Sequence, residues 1–101
     1  IMQRIGNEPG AAEDYGNLAT VYQNLGDIGR ALEYHHKDLA ITKRIGDRHT
    51  AAIVYFNLGL LYHDQGDRVQ AHSHFEKAKV LYEMVGDAQR AQDAAQALRG
   101  L

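Results

Sequence analysis

Residues 55–78 read YFNLGLLYHDQGDRVQAHSHFEKA, and this stretch decides the fold. Apolar side chains on both sides of Gly66-Asp67 recur at steps of three and four residues, which is the period of a helix with one buried face. Gly is the usual residue for the left-handed position just beyond a helix end, and Asp accepts hydrogen bonds from the free amides that begin the next helix. The stretch therefore predicts two helices joined by a tight turn at Gly66-Asp67.

A Gly followed by Asp or Asn occurs five times along the chain, always 20 residues apart. The pairs are Gly6-Asn7, Gly26-Asp27, Gly46-Asp47, Gly66-Asp67 and Gly86-Asp87. Because each pair ends one helix and begins another, the pattern predicts helices near residues 9–25, 27–45, 48–65, 67–85 and 87–99. Pro9 fits the first turn of the first helix, where its missing amide hydrogen would have no partner in any case.

Similarity between segments is closer at 40 residues than at 20. The residues that return after 40 positions are Tyr15, Asn17, Leu18 and Tyr22, as Tyr55, Asn57, Leu58 and Tyr62. The repeat is therefore a helical hairpin, and short connections make its helices antiparallel. Stacked hairpins predict an all-α fold, a right-handed α-α superhelix of about five antiparallel helices. We expect one domain over 1–101, made of the tail of a preceding repeat (1–6), repeat one (7–46), repeat two (47–86) and a C-terminal capping helix (87–101).

The composition argues against several classes of function. With 11 Lys and Arg against 13 Asp and Glu, alternating along the chain, there is no concentrated positive charge for binding nucleic acid. The absence of Cys excludes disulfides, thiolate zinc sites and cysteine nucleophiles. No apolar run approaches the ~18 residues of a membrane span, and no signal peptide is evident. We therefore expect a cytoplasmic protein, and the start at Ile1-Met2 suggests a piece of a longer one.

Six His raise the question of a metal site, but no two of them are three or four residues apart, as ligands on one helix face would be. His35 lies three residues before Asp38, which favours a packed imidazole hydrogen-bonded to that carboxylate over a metal ligand. The sequence has no nucleophile elbow, glycine-rich phosphate loop or His-Glu zinc motif. We therefore expect no metal, no cofactor and no catalytic residues.

Repeat two resembles the tetratricopeptide repeat, whose pattern is an aromatic, Leu-Gly, Tyr, Gly-Asp, Ala and a second aromatic. The matching residues are Tyr55, Leu58-Gly59, Tyr62, Gly66-Asp67, Ala71, Phe75 and Ala78. Repeat one departs from the pattern at Ala19, His35 and Asp38, where the family has Gly, an aromatic and Ala. These departures and the 40-residue period resemble the long-repeat type of the LGN/Pins scaffolds and their bacterial relatives.

The resemblance implies a peptide-binding groove on the concave side, lined by the first helix of each repeat. The implied groove residues are Glu13, Gly16, Asn17, Thr20, Gln23 and Asn24 in repeat one, and Ile53, Phe56, Asn57, Leu60, His63 and Asp64 in repeat two. Asn17 and Asn57 match the position from which the family holds a ligand backbone, and a carboxamide can both donate and accept hydrogen bonds. The alternative is that each Asn braces its own helix pair.

Ile53, Phe56 and Leu60 would form an apolar patch with a polar rim, which is typical of a contact surface, although a neighbouring repeat would cover it equally well. In the LGN/Pins group, Arg residues one turn before the groove Asn help to bind acidic peptides, whereas this chain has Glu13 and Ile53 there. We therefore expect a neutral or mildly basic peptide with apolar anchors, bound with a Kd on the order of micromolar.

The resemblance thus predicts a non-catalytic protein-interaction module, a scaffold or adaptor with a protein or peptide partner and with neither nucleic acid nor membrane. The alternative is a structural or regulatory spacer segment within a longer solenoid of a signalling protein. Because the N-terminal face of the stack would be incompletely covered, Ala12, Tyr15 and Ala19 would be open to a second copy, and we expect a weak homodimer.

Overall fold

The computed structural model describes residues 8–101, which fold into five α-helices without a strand. The helices are α1 (Glu8–Asn24), α2 (Ile28–Arg44), α3 (Arg48–Asp64), α4 (Arg68–Met84) and α5 (Ala88–Arg99). Every bound lies within one residue of the bound that the sequence predicts, and the all-α fold class is confirmed. The predicted tail of a preceding repeat, residues 1–6, lies outside the described residues.

Each junction between helices has three residues, with a glycine of positive φ at its centre. The φ angles are 81° at Gly26, 77° at Gly46, 79° at Gly66 and 79° at Gly86. At the first junction the amide of Gly26 donates to the carbonyl of Gln23 at 3.1 Å, and the amide of Asp27 donates to that of Tyr22 at 2.9 Å. These bonds satisfy carbonyls that the end of α1 leaves unpaired, so the predicted helix stop is confirmed.

The aspartates after these glycines begin the next helix as the sequence predicts. Asp27, Asp67 and Asp87 each accept a hydrogen bond at 3.1 Å from the backbone amide three residues further on. Each bond satisfies one of the free amides in the first turn of a helix. The Gly-Asp pair is therefore both the end signal of one helix and the start signal of the next.

Substitutions at the junction of α3 and α4 should destabilise the protein. Gly66→Ala should lower the unfolding free energy by about 1 kcal/mol or more through backbone strain alone, because no other atom lies within 4 Å of the added Cβ. Asp67→Ala should cost ~1 kcal/mol through loss of the cap on Gln70. Thermal melts check both against Gly29→Ala inside α2, where φ is not positive and Ala should be neutral or stabilising. Melts of Gly66→Ala and Asp67→Ala that match the parent would contradict the junction assignment.

The described residues form two compact units, and the first ends at Asp47. In it α1 packs against α2, with Ala11, Ala12 and Ile41 buried in one cluster and Tyr15 packed against them. Arg44, at the end of α2, pairs with Glu8 at the start of α1, so the two helices run antiparallel. This unit contains α1 and α2, and the repeat bounds given above stay a prediction.

A stack of aromatic rings joins α1 to α2. The ring of Tyr34 stacks on that of Tyr22 with centroids 5.6 Å apart and on that of Tyr15 at 5.9 Å. The cations of Lys37 and Arg30 lie over this stack, Lys37 at 5.6 Å from the Tyr15 and Tyr34 centroids and Arg30 at 5.6 Å from that of Tyr22. Stacking and cation–π attraction both stabilise the hairpin.

The second unit spans Arg48–Leu101, and α4 packs against both α3 and α5. Its largest fully buried side chains include Leu58 and Leu61 from α3 and Phe75 from α4. A Cβ on Gly59 would lie only 2.6 Å from Cδ1 of Phe75, so a glycine is required where these two helices meet. This contact explains the Leu-Gly and aromatic positions of the repeat pattern.

Two residues expected at a surface between copies are buried. Ala12 is 4% exposed and Ala19 is fully buried, while Tyr15 packs on the cluster of Ala11, Ala12 and Ile41. The expectation that Ala12 and Ala19 contact a second copy is therefore wrong, because their methyl groups already lie in the core of the chain. The homodimer itself stays a prediction.

Candidate functional site

The six residues implied for α3 differ in exposure along the helix. Leu60, His63 and Asp64 are exposed, and Leu60 keeps 40% of its surface open. Ile53, Phe56 and Asn57 are half-buried. Ile53 and Phe56 are therefore partly covered, while the C-terminal part of this face has the exposed Leu60 and two polar side chains.

Among the residues implied for α3, Phe56 has a ring that packs against another aromatic ring. Its ring centroid lies 5.3 Å from that of Phe75 in a tilted arrangement, so the buried ring holds the half-buried one in place. Phe56 also lines a cavity of about 70 Å³ together with Tyr82, Arg90 and Asp93. This cavity has aromatic walls and one cationic and one anionic side chain at its edge. It therefore suits an apolar side chain of a ligand that is flanked by polar groups.

Tyr82, Arg90 and Asp93 were missed by the sequence reasoning, which treated the last helix only as a cap. A signal for Asp93 was present, since it lies 40 residues after Ile53 and so continues the same register onto α5. The sequence has no Lys or Arg among the implied contact residues, whereas the structure places Arg90 beside Phe56. The charge of this guanidinium is balanced locally, because it forms an ion pair with Asp87 at 3.0 Å.

Asp87, in the junction before α5, links two helices of the second unit, α5 and α3, through its carboxylate. It accepts hydrogen bonds from the backbone and the side chain of Arg90, and it lies 3.1 Å from Nε2 of His49 at the start of α3. These bonds, led by the backbone amide of Arg90, lower the pKa of Asp87 below its usual value. Burial raises the pKa of Tyr82, the hydroxyl beside this network. Arg90 is thereby fixed at the edge of the cavity.

The residues implied for α1 offer a different surface from those of α3. Glu13, Asn17, Thr20 and Asn24 are all exposed, and Oγ1 of Thr20 donates to the carbonyl of Gly16 at 3.1 Å. Gly16 occupies the register position of Phe56, so α1 has no aromatic anchor there. The α1 face is therefore polar, with the acidic Glu13 and Asp14 and with no Lys or Arg between Glu8 and Asn24.

Asn17 and Asn57 make no side-chain hydrogen bond to any residue among 8–101. Asn17 is exposed and Asn57 is half-buried. A carboxamide that braced its own helix pair would be bonded to that pair. The geometry therefore gives no support to the bracing alternative, and both groups are able to bond to a ligand backbone.

His35 and Asp38 are buried on α2, at 2% and 5% exposure. The expected packing of His35 is correct, but its expected bond to a carboxylate is wrong: neither ring nitrogen has a hydrogen-bond partner among the described residues. Oδ1 of Asp38 is enclosed and equally without a partner there. Burial, with a smaller contribution from His36, lowers the pKa of His35 to about 4. Burial, with a smaller contribution from the charge of Asp47, raises the pKa of Asp38 to about 6.

Two further features were sought among the described residues, a cluster of metal-ligating side chains and a membrane-spanning helix. Within residues 8–101 no group of three His, Asp or Glu side chains is placed to hold a metal ion. In the same range no helix has the length and apolar character needed to cross a bilayer.

Comparison with known proteins relates this architecture to a family. A family model described as "Tetratricopeptide repeat" matches residues 10–84. Among solved structures, the crystal structure of BtubC (BKLC) from P. vanneervenii is similar, with 25% sequence identity and a TM-score of 0.63. The match covers 87% of this chain and 45% of that one, so the chain spans less than half of the length of BtubC. No curated protein matches at a significant level.

Proposed function

The chain belongs to the tetratricopeptide repeat family, and from this membership we propose that it is a non-catalytic module that binds a peptide segment of a partner protein. Tetratricopeptide repeats generally mediate protein–protein interaction. The peptide would lie along the first helix of a repeat, with Asn17 on α1 or Asn57 on α3 bonded to its backbone. Contact between the peptide and the other implied residues of α1 and α3 belongs to the same proposal.

The observation that carries this function is the surface around Phe56. The half-buried ring is supported by Phe75, opens on the small cavity beside Tyr82 and Arg90, and has the unbonded carboxamide of Asn57 next to it in the chain. A peptide needs one apolar pocket for affinity and one polar group for orientation, and this surface offers both.

The charges near this surface favour a neutral or mildly basic peptide. Asp64 is exposed at the end of α3, and Asp93 is exposed at the cavity. The cation there, Arg90, is already paired with Asp87. An acidic peptide would therefore meet repulsion without a free cation to compensate, and electrostatic complementarity decides partner choice.

Selection of ligands from a random peptide library, followed by titration of the best binders, tests the proposal. We expect neutral or mildly basic binders with an apolar residue, at a Kd on the order of micromolar. Phe56→Ala should weaken them by about tenfold or more, because an aromatic anchor in a pocket carries much of the binding energy. Asn57→Ala, which leaves the core intact, should weaken them by about fivefold or more through the lost backbone bonds.

Val69→Ala is the matched control, because Val69 is an apolar side chain on α4 that is 81% exposed and far from the implied contacts in register. It should leave affinity unchanged. Binders rich in Glu and Asp that are indifferent to both Phe56→Ala and Asn57→Ala would overturn the proposed surface. A library without any binder would favour the alternative, a structural or regulatory spacer within a longer solenoid.

A further inference from the structure

Repeat one has a buried carboxylate beneath a glycine, at a place where repeat two has neither. Asp38 stands at the register position of Ala78, and Gly16 stands at that of Phe56. A Cβ on Gly16 would lie only 2.8 Å from Oδ2 of Asp38, so this oxygen packs against the bare backbone of α1, and at the missing side chain (the Gly16 gap) no Cβ covers it. Repeat one thus has a carboxylate where repeat two has a methyl group, and no side chain where repeat two has an aromatic ring.

No cation among the described residues serves Asp38. Its neighbour in sequence, Lys37, lies over the rings of Tyr15 and Tyr34 and pairs with Glu33 at 3.8 Å. Burial raises the pKa of Asp38 to about 6, and the charge of Asp47, which has the same sign, adds to this rise. A buried carboxylate without a partner is costly, and the cost falls when a cation reaches it.

Apart from Lys37, the groups named here on both helices add negative charge or none. Glu13 and Asp14 on α1 flank Gly16, and α1 has no Lys or Arg. On α2, His35 is uncharged at neutral pH because burial lowers its pKa to about 4. The environment of Asp38 is therefore complementary to a cation from outside the described residues.

The two carboxylate oxygens of Asp38 differ in accessibility, and this difference indicates which kind of cation can bind to them. Oδ1 is fully enclosed, whereas Oδ2 faces the Gly16 gap. A guanidinium binds best to both oxygens at once through its planar fork, while an ammonium needs one oxygen only. The exposed Glu13 and Thr20, on the same face of α1 as Gly16, leave that face open for a peptide that crosses it.

We propose that the gap at Gly16 is a subsite for a lysine side chain of the partner peptide, whose ammonium pairs with Oδ2 of Asp38. The subsite rests on the proposed peptide-binding function and gives it a sequence preference. Repeat one would thus select a basic side chain, and repeat two an apolar one at Phe56.

Titration with blocked model peptides tests the subsite directly. The probe is acetyl-Ala-Ala-Lys-Ala-Ala-amide, with its Nε-acetyl-lysine and arginine twins as comparison, and the readout is the NMR shift of the Asp38 carboxyl carbon against pH. The lysine peptide should lower the pKa of Asp38, while the acetylated twin should leave it unchanged and the arginine twin should act more weakly. Binding should also weaken as pH falls through about 6, where Asp38 takes up a proton.

Two variants and one control separate the subsite from general attraction to acidic groups. Asp38→Asn removes the charge but keeps the shape, and Gly16→Ala adds a methyl group 2.8 Å from Oδ2, so the carboxylate must shift and is then covered. Each should weaken the lysine peptide by about tenfold, the usual effect of losing a hydrogen bond to a charged group. Asp14→Asn, which removes a different carboxylate charge from α1 and is not one of the implied contact residues, should change affinity by about twofold or less.

Equal binding of the lysine peptide to the parent and to Asp38→Asn would overturn the subsite, as would equal effects of the lysine and acetyl-lysine peptides. If library peptides bind the parent and Asp38→Asn alike, the subsite fails while the peptide-binding function stands. If the lysine peptide shifts the pKa of Asp38 but no library peptide binds, the subsite stands and the proposed function fails.

Discussion

A chain that ends after Gly86 is expected to lose more helix than the 12 residues of α5 and to aggregate. Helix α5 buries Ala91 and Ala94, at 7% and 0% exposure, in its contact with α4. Its first turn also holds Asp87 and Arg90, which contact His49 and Tyr82 of the same unit. A helical hairpin cannot bury its apolar face alone and depends on the next helix to cover it.

Circular dichroism and sedimentation of the shortened chain measure this effect. The control is a chain that ends after Arg99, which keeps all of α5 and should match the parent in helicity and size. A chain ending at Gly86 that remains monomeric, with α1 to α4 fully helical, would show that α5 is not a cap.

The helices were predictable from the sequence because their ends are set by local chemistry. Gly26, Gly46, Gly66 and Gly86 supply the positive φ that ends a helix. The aspartate that follows Gly26, Gly66 and Gly86 supplies the cap, so both signals are contained in adjacent residues. The buried stripe of each helix follows from the spacing of its apolar residues. Neither inference needs knowledge of which helices meet.

The features that the sequence did not reveal depend on contacts between helices. In the sequence, Asp38 and His35 are only departures from the repeat pattern. The structural role of each depends on a residue of the other helix of the hairpin, Gly16 for Asp38 and Ala19 for His35. In repeat two, Phe75 lies where a Cβ on Gly59 would stand, and repeat one has Ala19 at that register. The imidazole of His35 is smaller than the ring of Phe75, which suits the larger Ala19 in place of Gly59. The departures of repeat one from the pattern therefore compensate for one another.

The cavity beside Phe56 was missed for a related reason. Its wall comes from α4 and α5, whereas the sequence reasoning assigned contact residues to the first helices of two repeats only. Extending the 40-residue register would have added Asp93, but Tyr82 and Arg90 required the packed structure. The 40-residue register therefore predicts part of the site, and the remaining residues follow only from the contacts between helices.

The two buried titratable groups of α2 should have opposite effects on stability as the pH falls. His35 has its pKa lowered from 6.5 to about 4 by burial, so the unfolded chain takes up a proton before the folded one does. Stability from a neutral His35 is therefore complete above pH 6.5 and is lost as the pH falls through about 4. The full effect on the unfolding free energy is about 3 kcal/mol.

Asp38 acts in the other direction. Its pKa is raised from 3.8 to about 6, so the folded chain takes up the proton first and gains stability as the pH falls from about 6 towards 3.8. This gain is also about 3 kcal/mol when complete. In the parent the two effects nearly cancel, and acidification over this range should change stability little through these residues.

Removing one group at a time should therefore expose the other. Asp38→Asn should lose stability by up to about 3 kcal/mol relative to its value at neutral pH when the pH falls to about 4, because only His35 then titrates. His35→Leu, an apolar replacement of similar size, should gain a similar amount over the same range, because only Asp38 then titrates. Urea unfolding at several pH values measures both, and the comparison of each variant with itself removes the constant cost of altered packing. Parallel pH profiles for the parent and the two variants would show that both side chains titrate as they do in the unfolded chain, and that neither is buried as the structure has it.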